Sequence, residues 1–337
     1  MRSRTSTGAG ACDRRGGGSS ARGQIAPTPR ATVLEEGSAR LYRFGRGEGG
    51  SPVLLVPSLI NRWYILDLRA GASVAGALVG EGFDTWCLDW GVPGDEDRHL
   101  RWDDVLARLA RAARVVRRTT GFERISLLGY CMGGTLAGIH AALHPEHVSA
   151  LVNLAGPFDF SRGGVLSAMA DGRWFDADAI ASAGNVNAAQ MQSAFLMLRP
   201  TAQVAKWVSV FERGRDASFR DAFAALESWS NDTVPFPAAA YRTYIRELYQ
   251  ENRLARGGHH VGGRPVDLSS ITCPVLTIVA SEDAICPPAA ATALNDLCGS
   301  SRRDVLTVPG GHVGAVVGSR ATKTLYPALV SWLRSCC

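Results

Sequence analysis

The sequence predicts an α/β fold: a mostly parallel sheet covered by helices on both faces, with a helical cap inserted after the fourth predicted strand. Three observations carry this reading. Short all-apolar runs alternate with amphipathic stretches, the pattern of strand–helix units whose strands are buried on both faces. The alternation lapses over residues 158–267 and then resumes. A glycine-framed turn stands where the third predicted strand meets a helix.

Pro52-Val-Leu-Leu-Val-Pro57 is a short apolar run bounded by prolines and reads as the first buried strand. Leu66 to Val79 reads as a helix broken by Gly80 and Gly82. Phe83 to Trp90 is the second strand, closing in the turn Gly91-Val-Pro-Gly94. Trp102 to Val116 places apolar residues at 102, 105, 106, 109, 112, 113 and 116, with Asp103 and Asp104 in its first turn, the signature of an amphipathic helix. Ile125 to Leu128 is the third strand, Thr135 to Leu143 a helix, and Val148 to Leu154 the fourth strand. After the lapse come a strand at Pro274–Ala280, a helix at Pro288–Leu297, a strand at Asp304–Val308 and a helix at Thr322–Leu333.

The block 158–267 is helical and rich in aromatic residues. Tyr241, Tyr244, Ile245, Leu248 and Tyr249 share one helical face, and Trp207 and Phe211 stand four apart. No Pro/Gly-rich linker sets the block off, so a cap over the carboxyl edge of the sheet is expected rather than a second domain. The expected division is a tail at 1–30, a core at 31–157 and 268–337, and a cap at 158–267.

Composition narrows the function classes. The chain has 337 residues, 46% hydrophobic and 20% charged, which is ordinary globular make-up. No apolar run approaches the ~20 residues of a membrane span. The net charge of +5 resides in residues 1–30, where six arginines face the single acid Asp13. A neutral globule with a basic tail is not a domain with a basic face, so no nucleic-acid partner is expected. The tail is Gly/Ser-rich and reads as disordered, and no apolar segment follows Arg14-Arg15 to make a secretory signal. The eight cysteines lack C-x-x-C or zinc-finger spacing, so neither a metal nor a disulfide framework is expected, and the cytoplasm is the expected compartment.

One cysteine stands apart. Ile125-Ser-Leu-Leu-Gly129-Tyr-Cys131-Met-Gly133-Gly134 is strand, then G-x-C-x-G, then helix, the pattern of a nucleophile elbow. A nucleophile there needs an acid and a histidine later in the chain. Asp283 follows the strand 274–280, and His312 follows the strand 304–308, both at carboxyl ends of strands. Asp89 and Asp159 also follow strands and compete with Asp283. The expected roles are Cys131 as nucleophile, His312 as general base and Asp283 as the group orienting His312. The N–H of Met132, with that of Ile60 after the first strand, is the expected oxyanion hole. An acyl group moved from a thioester onto cysteine stays an activated thioester. The thiol therefore points to acyl transfer onto an alcohol more than to plain hydrolysis.

Several stretches resemble poly(3-hydroxyalkanoate) synthases: Pro52 through Leu68, Gly129-Tyr-Cys-Met-Gly-Gly134, Trp229-Ser-Asn-Asp-Thr-Val-Pro-Phe-Pro237 with Tyr249-Gln-Glu-Asn252, and Gly310-Gly-His-Val-Gly314. The likeness runs from about Leu34 to the C-terminus, and it implies the α/β-hydrolase fold with a cap. It also implies polymerisation of 3-hydroxyacyl-CoA onto a growing polyester chain with release of CoA, at the surface of a storage granule, without metal or cofactor. The long synthases carry an extra N-terminal domain. The short extent here resembles the class III type, whose catalytic subunit works with a second subunit, and a homodimer is a further expectation. Competing expectations are an esterase, thioesterase or polyester depolymerase on the same scaffold, and a non-catalytic granule-associated paralogue.

Overall fold

The computed structural model describes residues 25–45, 49–198 and 211–336. Eight strands form the central sheet: β1 Arg30–Glu36, β2 Ala39–Phe44, β3 Pro52–Val56, β4 Asp84–Asp89, β5 Ile125–Tyr130, β6 Val148–Leu154, β7 Val275–Ala280 and β8 Arg303–Val308. Their order across the sheet is β1-β2-β4-β3-β5-β6-β7-β8. β1 and β2 run antiparallel, and β2 meets β4 antiparallel, while every pairing from β4 to β8 is parallel. The central strands β3, β4 and β5 are buried along their whole length, as expected of apolar-rich strands covered on both faces.

Helices cover both faces. On one face α2 (Trp102–Thr120) and α3 (Met132–Leu143) pack into a buried cluster with Leu54, Trp86 and Leu127. On the other, α1 (Val74–Gly80) and the C-terminal helix Ala321–Arg334 pack against Val53, Leu55 and Leu128. The insertion between β6 and β7 shares the first cluster: Phe236, Tyr241, Tyr244 and Leu248 are buried with Leu106 and Leu136. Its aromatic face begins in the helix Ala238–Thr243 and continues through a wider π turn, Tyr244–Gln250. Trp102 on α2 stacks on Tyr244 at 5.5 Å, which ties the insertion to the core.

Two departures from the sequence reading stand out. The helix expected over Leu66–Val79 forms only in its second half. Trp63–Leu66 is a 3-10 turn, and a small hairpin of Asp67–Arg69 and Ala72–Ser73 follows, turning through Gly71 at φ +75. The helix starts only where Ser73 caps it, its hydroxyl accepting from Gly76 N at 2.7 Å. The antiparallel strands β1 and β2 are additional to the sequence reading, and the edge strand β1 is largely exposed. Of the expected tail, residues 1–24 lie outside the described residues. Residues 25–30 are joined to the core, because Thr28 donates through its N–H (3.1 Å) and Oγ1 (2.7 Å) to the buried Asp67 carboxylate. Trp207 also lies outside the described residues. Among the described residues no helix is long and apolar enough to cross a membrane.

Candidate active site

The turn between β5 and α3 is strained in the manner of an elbow. Cys131 adopts φ +56 and ψ −130, a region that a side-chain-bearing residue adopts at a cost of roughly 1–3 kcal/mol. The framing glycines make it possible. A Cβ on Gly129 would overlap the Gly133 carbonyl, and one on Gly133 would overlap the Val56 carbonyl. The turn is pinned by Cys131 N donating to Leu154 O at 2.9 Å and Gly134 N donating to Cys131 O at 2.8 Å. Met132 is the first residue of α3, so its N–H belongs to the helix start, where backbone donors lack intrahelical partners.

Asp283 and His312 meet in the interior. His312 Nδ1 lies 2.7 Å from Asp283 Oδ2, and both residues are buried. The other carboxylate oxygen, Oδ1, accepts from Ile285 N (2.9 Å) and Cys286 N (2.8 Å), a local turn that fixes the side chain. The His312 ring stacks on Tyr130 at 5.2 Å. Its Nε2 is buried without a hydrogen-bond partner among the described residues. Burial lowers the His312 pKa, but the charge of Cys131, the Asp283 hydrogen bond and the Asp283 charge outweigh it and push it up to about 10.

The competing acids are engaged elsewhere. Asp89 accepts from Tyr42 OH (3.1 Å) and Gly91 N (2.9 Å). Asp159 accepts from Ser161 and Asn252 and pairs with Arg162 at 3.0 Å. His259 is buried against Glu247 at 3.0 Å. His140, His144 and His147 cluster at the far end of α3.

Cys131, Met132 and Ile60 line one pocket together with residues of the insertion. Its walls are Leu166, Ala170, Met191, Phe236, Tyr241, Tyr244, Ile245 and Tyr249, an almost wholly apolar lining. Cys286, which no sequence signal singles out, lines the same pocket. Burial, then the charges of Asp283 and Cys131, push its thiol well up, so it stays protonated beside the elbow cysteine.

Polar contacts that sequence spacing does not reveal brace the insertion internally and tie it to the core. Asn252 accepts from Phe160 N (3.0 Å) and donates to Asp159 Oδ1 (2.8 Å). Gln250 donates to the carbonyls of Ala170 and Phe175. Trp229 Nε1 donates to Arg62 O at 3.0 Å, and Tyr64 OH donates to Asp232 Oδ2 at 2.7 Å. These contacts account physically for Trp229 and Asp232 in the stretch 229–237 and for Gln250 and Asn252 in the stretch 249–252.

Sheet order, elbow and buried acid–histidine pair together define an α/β-hydrolase, and residues 51–319 match the family described as having the alpha/beta hydrolase fold, to which the chain belongs. Within that fold the chain is a member of the poly(3-hydroxyalkanoate) polymerase family, as the curated relatives show. It is 34% identical over 314 residues to the poly(3-hydroxyalkanoate) polymerase subunit PhaC of Allochromatium vinosum, covering 91% of this chain and 88% of that one. It is 33% identical to the PhaC subunit of Synechocystis, covering 92% of this chain and 85% of that protein. It is 36% identical to the PhaC subunit of Haloferax mediterranei, of whose length it spans 64% while 91% of this chain is covered. Solved structures similar in fold include a thioesterase domain from the curacin biosynthetic pathway (TM-score 0.53, 14% identity, 90% of this chain and 99% of that one). An esterase from Thermogutta terrifontis is similar at TM-score 0.52 and 17% identity, covering 91% of this chain and 99% of that one.

Proposed function

We propose that this protein polymerises 3-hydroxyacyl-CoA into poly(3-hydroxyalkanoate) with release of CoA, using Cys131, His312 and Asp283. The observation that carries the reading is the strained elbow thiol on the wall of an apolar pocket, within electrostatic reach of the buried His312–Asp283 pair. His312 takes the Cys131 proton, and the thiolate attacks the thioester carbonyl. The carbonyl oxygen becomes an oxyanion, held by the N–H groups of Met132 and Ile60, each donor lowering the barrier by roughly 3–4 kcal/mol. CoA leaves as a thiolate and takes the proton from the His312 imidazolium, and the acyl group stays on Cys131 as a thioester. In the second half, His312 removes the proton from a 3-hydroxyl group, and that oxygen attacks the acyl-Cys131 carbonyl. An oxygen ester forms, the Cys131 thiolate is released, and the chain is one unit longer. Asp283 holds the imidazole tautomer and stabilises the imidazolium throughout.

The apolar pocket suits the acyl part of the substrate rather than its nucleotide, and the chemistry needs no metal or prosthetic group. The designation of the relatives as subunits supports a second synthase subunit as partner, and the insolubility of the polyester product makes the surface of a cytoplasmic granule the proposed place of work.

The test is incubation of purified protein with 3-hydroxybutyryl-CoA, with and without a co-expressed partner subunit, reading CoA release and product mass together. CoA release with oligomeric ester is expected, and Cys131→Ala should lower it by roughly 10⁶-fold, to the background rate. Release of free 3-hydroxybutyrate alone would instead establish a hydrolase. Labelling of Cys131 by iodoacetamide without any turnover would establish a non-catalytic paralogue.

A further inference from the structure

We propose that His144, Glu146 and His147, with His140 beside them, form a binding site for one divalent transition-metal ion, of which zinc fits the donor set best. The sequence reading expected no metal, because no cysteine or histidine spacing matched a zinc finger. The cluster arises instead where α3 ends. The chain leaves the helix at His144, turns through Pro145 and enters β6 at Val148.

That tight turn points three donors at one place. His144 Nδ1 lies 3.8 Å and His147 Nδ1 3.2 Å from Glu146 Oε1. One donor atom from each of the three residues lies within 4.8 Å of the others. Donors about 2.0–2.2 Å from a shared zinc ion must stand roughly 4 Å or less apart, so the set needs only a small contraction. Two imidazoles and a carboxylate leave a fourth position for water, which their half-open surroundings supply: His144, Glu146 and His147 side chains are 30%, 58% and 34% exposed.

A second observation points the same way. His140, one helical turn earlier, is buried and sets its ring against that of His144, tilted at 40° with centroids 4.9 Å apart, so a third imidazole stands beside the proposed ligands. Opposing charge comes from Arg117 and Arg264, the latter already donating to Leu143 O at 2.9 Å. Glu146 and the carbonyl end of α3 offset it. Mixed nitrogen and oxygen donors of this kind suit zinc, nickel or copper and not magnesium or calcium.

The cluster is remote from the elbow. α3 is 12 residues long, so about 18 Å of helix separates its first turn, beside Cys131, from this end. An ion here would pin the far end of the elbow helix to the start of β6. The site stands whether or not the polymerase reading holds.

The experiment uses the full-length, tag-free chain carrying Cys131→Ala, so that the elbow thiolate cannot compete for metal. The protein is stripped with a chelator, dialysed, and titrated with Zn²⁺ by calorimetry and with Co²⁺ by absorption. The expected result is one ion per chain, a Co²⁺ spectrum without a thiolate charge-transfer band, and a Zn²⁺-dependent rise in melting temperature. His144→Ala/His147→Ala should weaken binding at least tenfold and abolish the rise. Equal affinity in that variant, a thiolate band, or no binding at all would overturn the proposal. If the double variant proves unfolded by circular dichroism, Glu146→Gln provides the same comparison at an exposed position, with a smaller loss of affinity expected and an unchanged affinity overturning the site.

Discussion

Cys131 and Tyr244 lie on the same pocket, yet opposite kinds of structure hold them there. The sheet side is fixed by local backbone geometry. A glycine-framed elbow sets Cys131, and a turn of three residues orients Asp283 toward His312. The insertion side is fixed by isolated long-range polar contacts. Asn252 reaches across to Phe160 and Asp159, and Asp232 reaches back to Tyr64. The difference teaches where chemistry and where shape reside. Perturbing the sheet edge should change the reaction, whereas perturbing the insertion should change how firmly the pocket is closed.

The sharpest way to break the comparison is to alter the sheet side without loosening the fold. Asp283→Asn keeps the size of the side chain but leaves His312 with the wrong tautomer partner, and turnover should fall by roughly 10⁴-fold. Thermal melting alongside the assay checks that the loss is chemical. If instead activity falls only in step with stability, the orienting role of Asp283 is wrong.

The pH profile tests the same pair from its proton. His312 is raised from 6.5 to about 10, so the imidazolium that forms when His312 takes a proton is favoured through the neutral range. A raised folded-state value means that its contribution to stability is full below about 6.5 and is lost as pH rises through about 10. CoA release should therefore decline above about pH 10, as the proton for the leaving thiolate disappears. The melting advantage of wild type over His312→Gln should shrink between pH 7 and pH 10. Asp283→Asn removes two of the influences that hold the proton, so its decline should begin at lower pH. A profile unchanged by Asp283→Asn would separate the two residues functionally.

Legibility in the sequence follows the same divide. β3 to β8 and the elbow could be read because each rests on a local signal: a short apolar-rich run, or glycines whose missing side chains a turn requires. β1 was not legible because it is an exposed edge strand, where no burial enforces alternation. The apolar run around Leu66 reads as helix, but Gly71 and the buried Asp67, which takes hydrogen bonds from Thr28 and Ser73, turn it into a hairpin instead. Asn252 and Trp229 were visible only through resemblance, since their partners lie 92 and 167 positions away. Cys286 carried no signal at all, because three residues after an aspartate is an ordinary position until the Asp283 turn places it on the pocket.

On the insertion side the largest effect is expected at Asn252, which holds φ +50 while bonding two partners. Asn252→Ala leaves the Phe160 N–H buried and unpaired, at a cost of about 1–3 kcal/mol, and adds backbone strain that asparagine tolerates better. Asn252→Gly removes the strain and keeps the hydrogen-bond loss. Urea unfolding of both variants separates the two causes. If alanine and glycine destabilise equally, the side-chain bonds carry the whole effect. KM for acyl-CoA should rise in both, with kcat less affected than in Asp283→Asn.

The finest distinction comes from Tyr64. Its hydroxyl donates to Asp232 Oδ2 at 2.7 Å, and Arg62 Nε approaches the same oxygen at 3.5 Å, with the Asp232 side chain 48% exposed. Water can replace a lost donor at so exposed a carboxylate, so Tyr64→Phe should cost only about 0.5–1 kcal/mol. Burial, then the Asp232 bond and charge, push the Tyr64 phenol well up, so no titration of that hydroxyl intrudes below pH 10. The contact joins the 3-10 turn after β3, which follows Ile60, to the end of the helix Ala217–Asn231 in the insertion. Loosening it should therefore leave kcat unchanged and make Cys131 more accessible to iodoacetamide, by a few-fold in labelling rate. An equal labelling rate in Tyr64→Phe would mean that the insertion is closed by Asn252 and the aromatic cluster alone. The Tyr64–Asp232 bond would then be a surface contact without influence on the pocket.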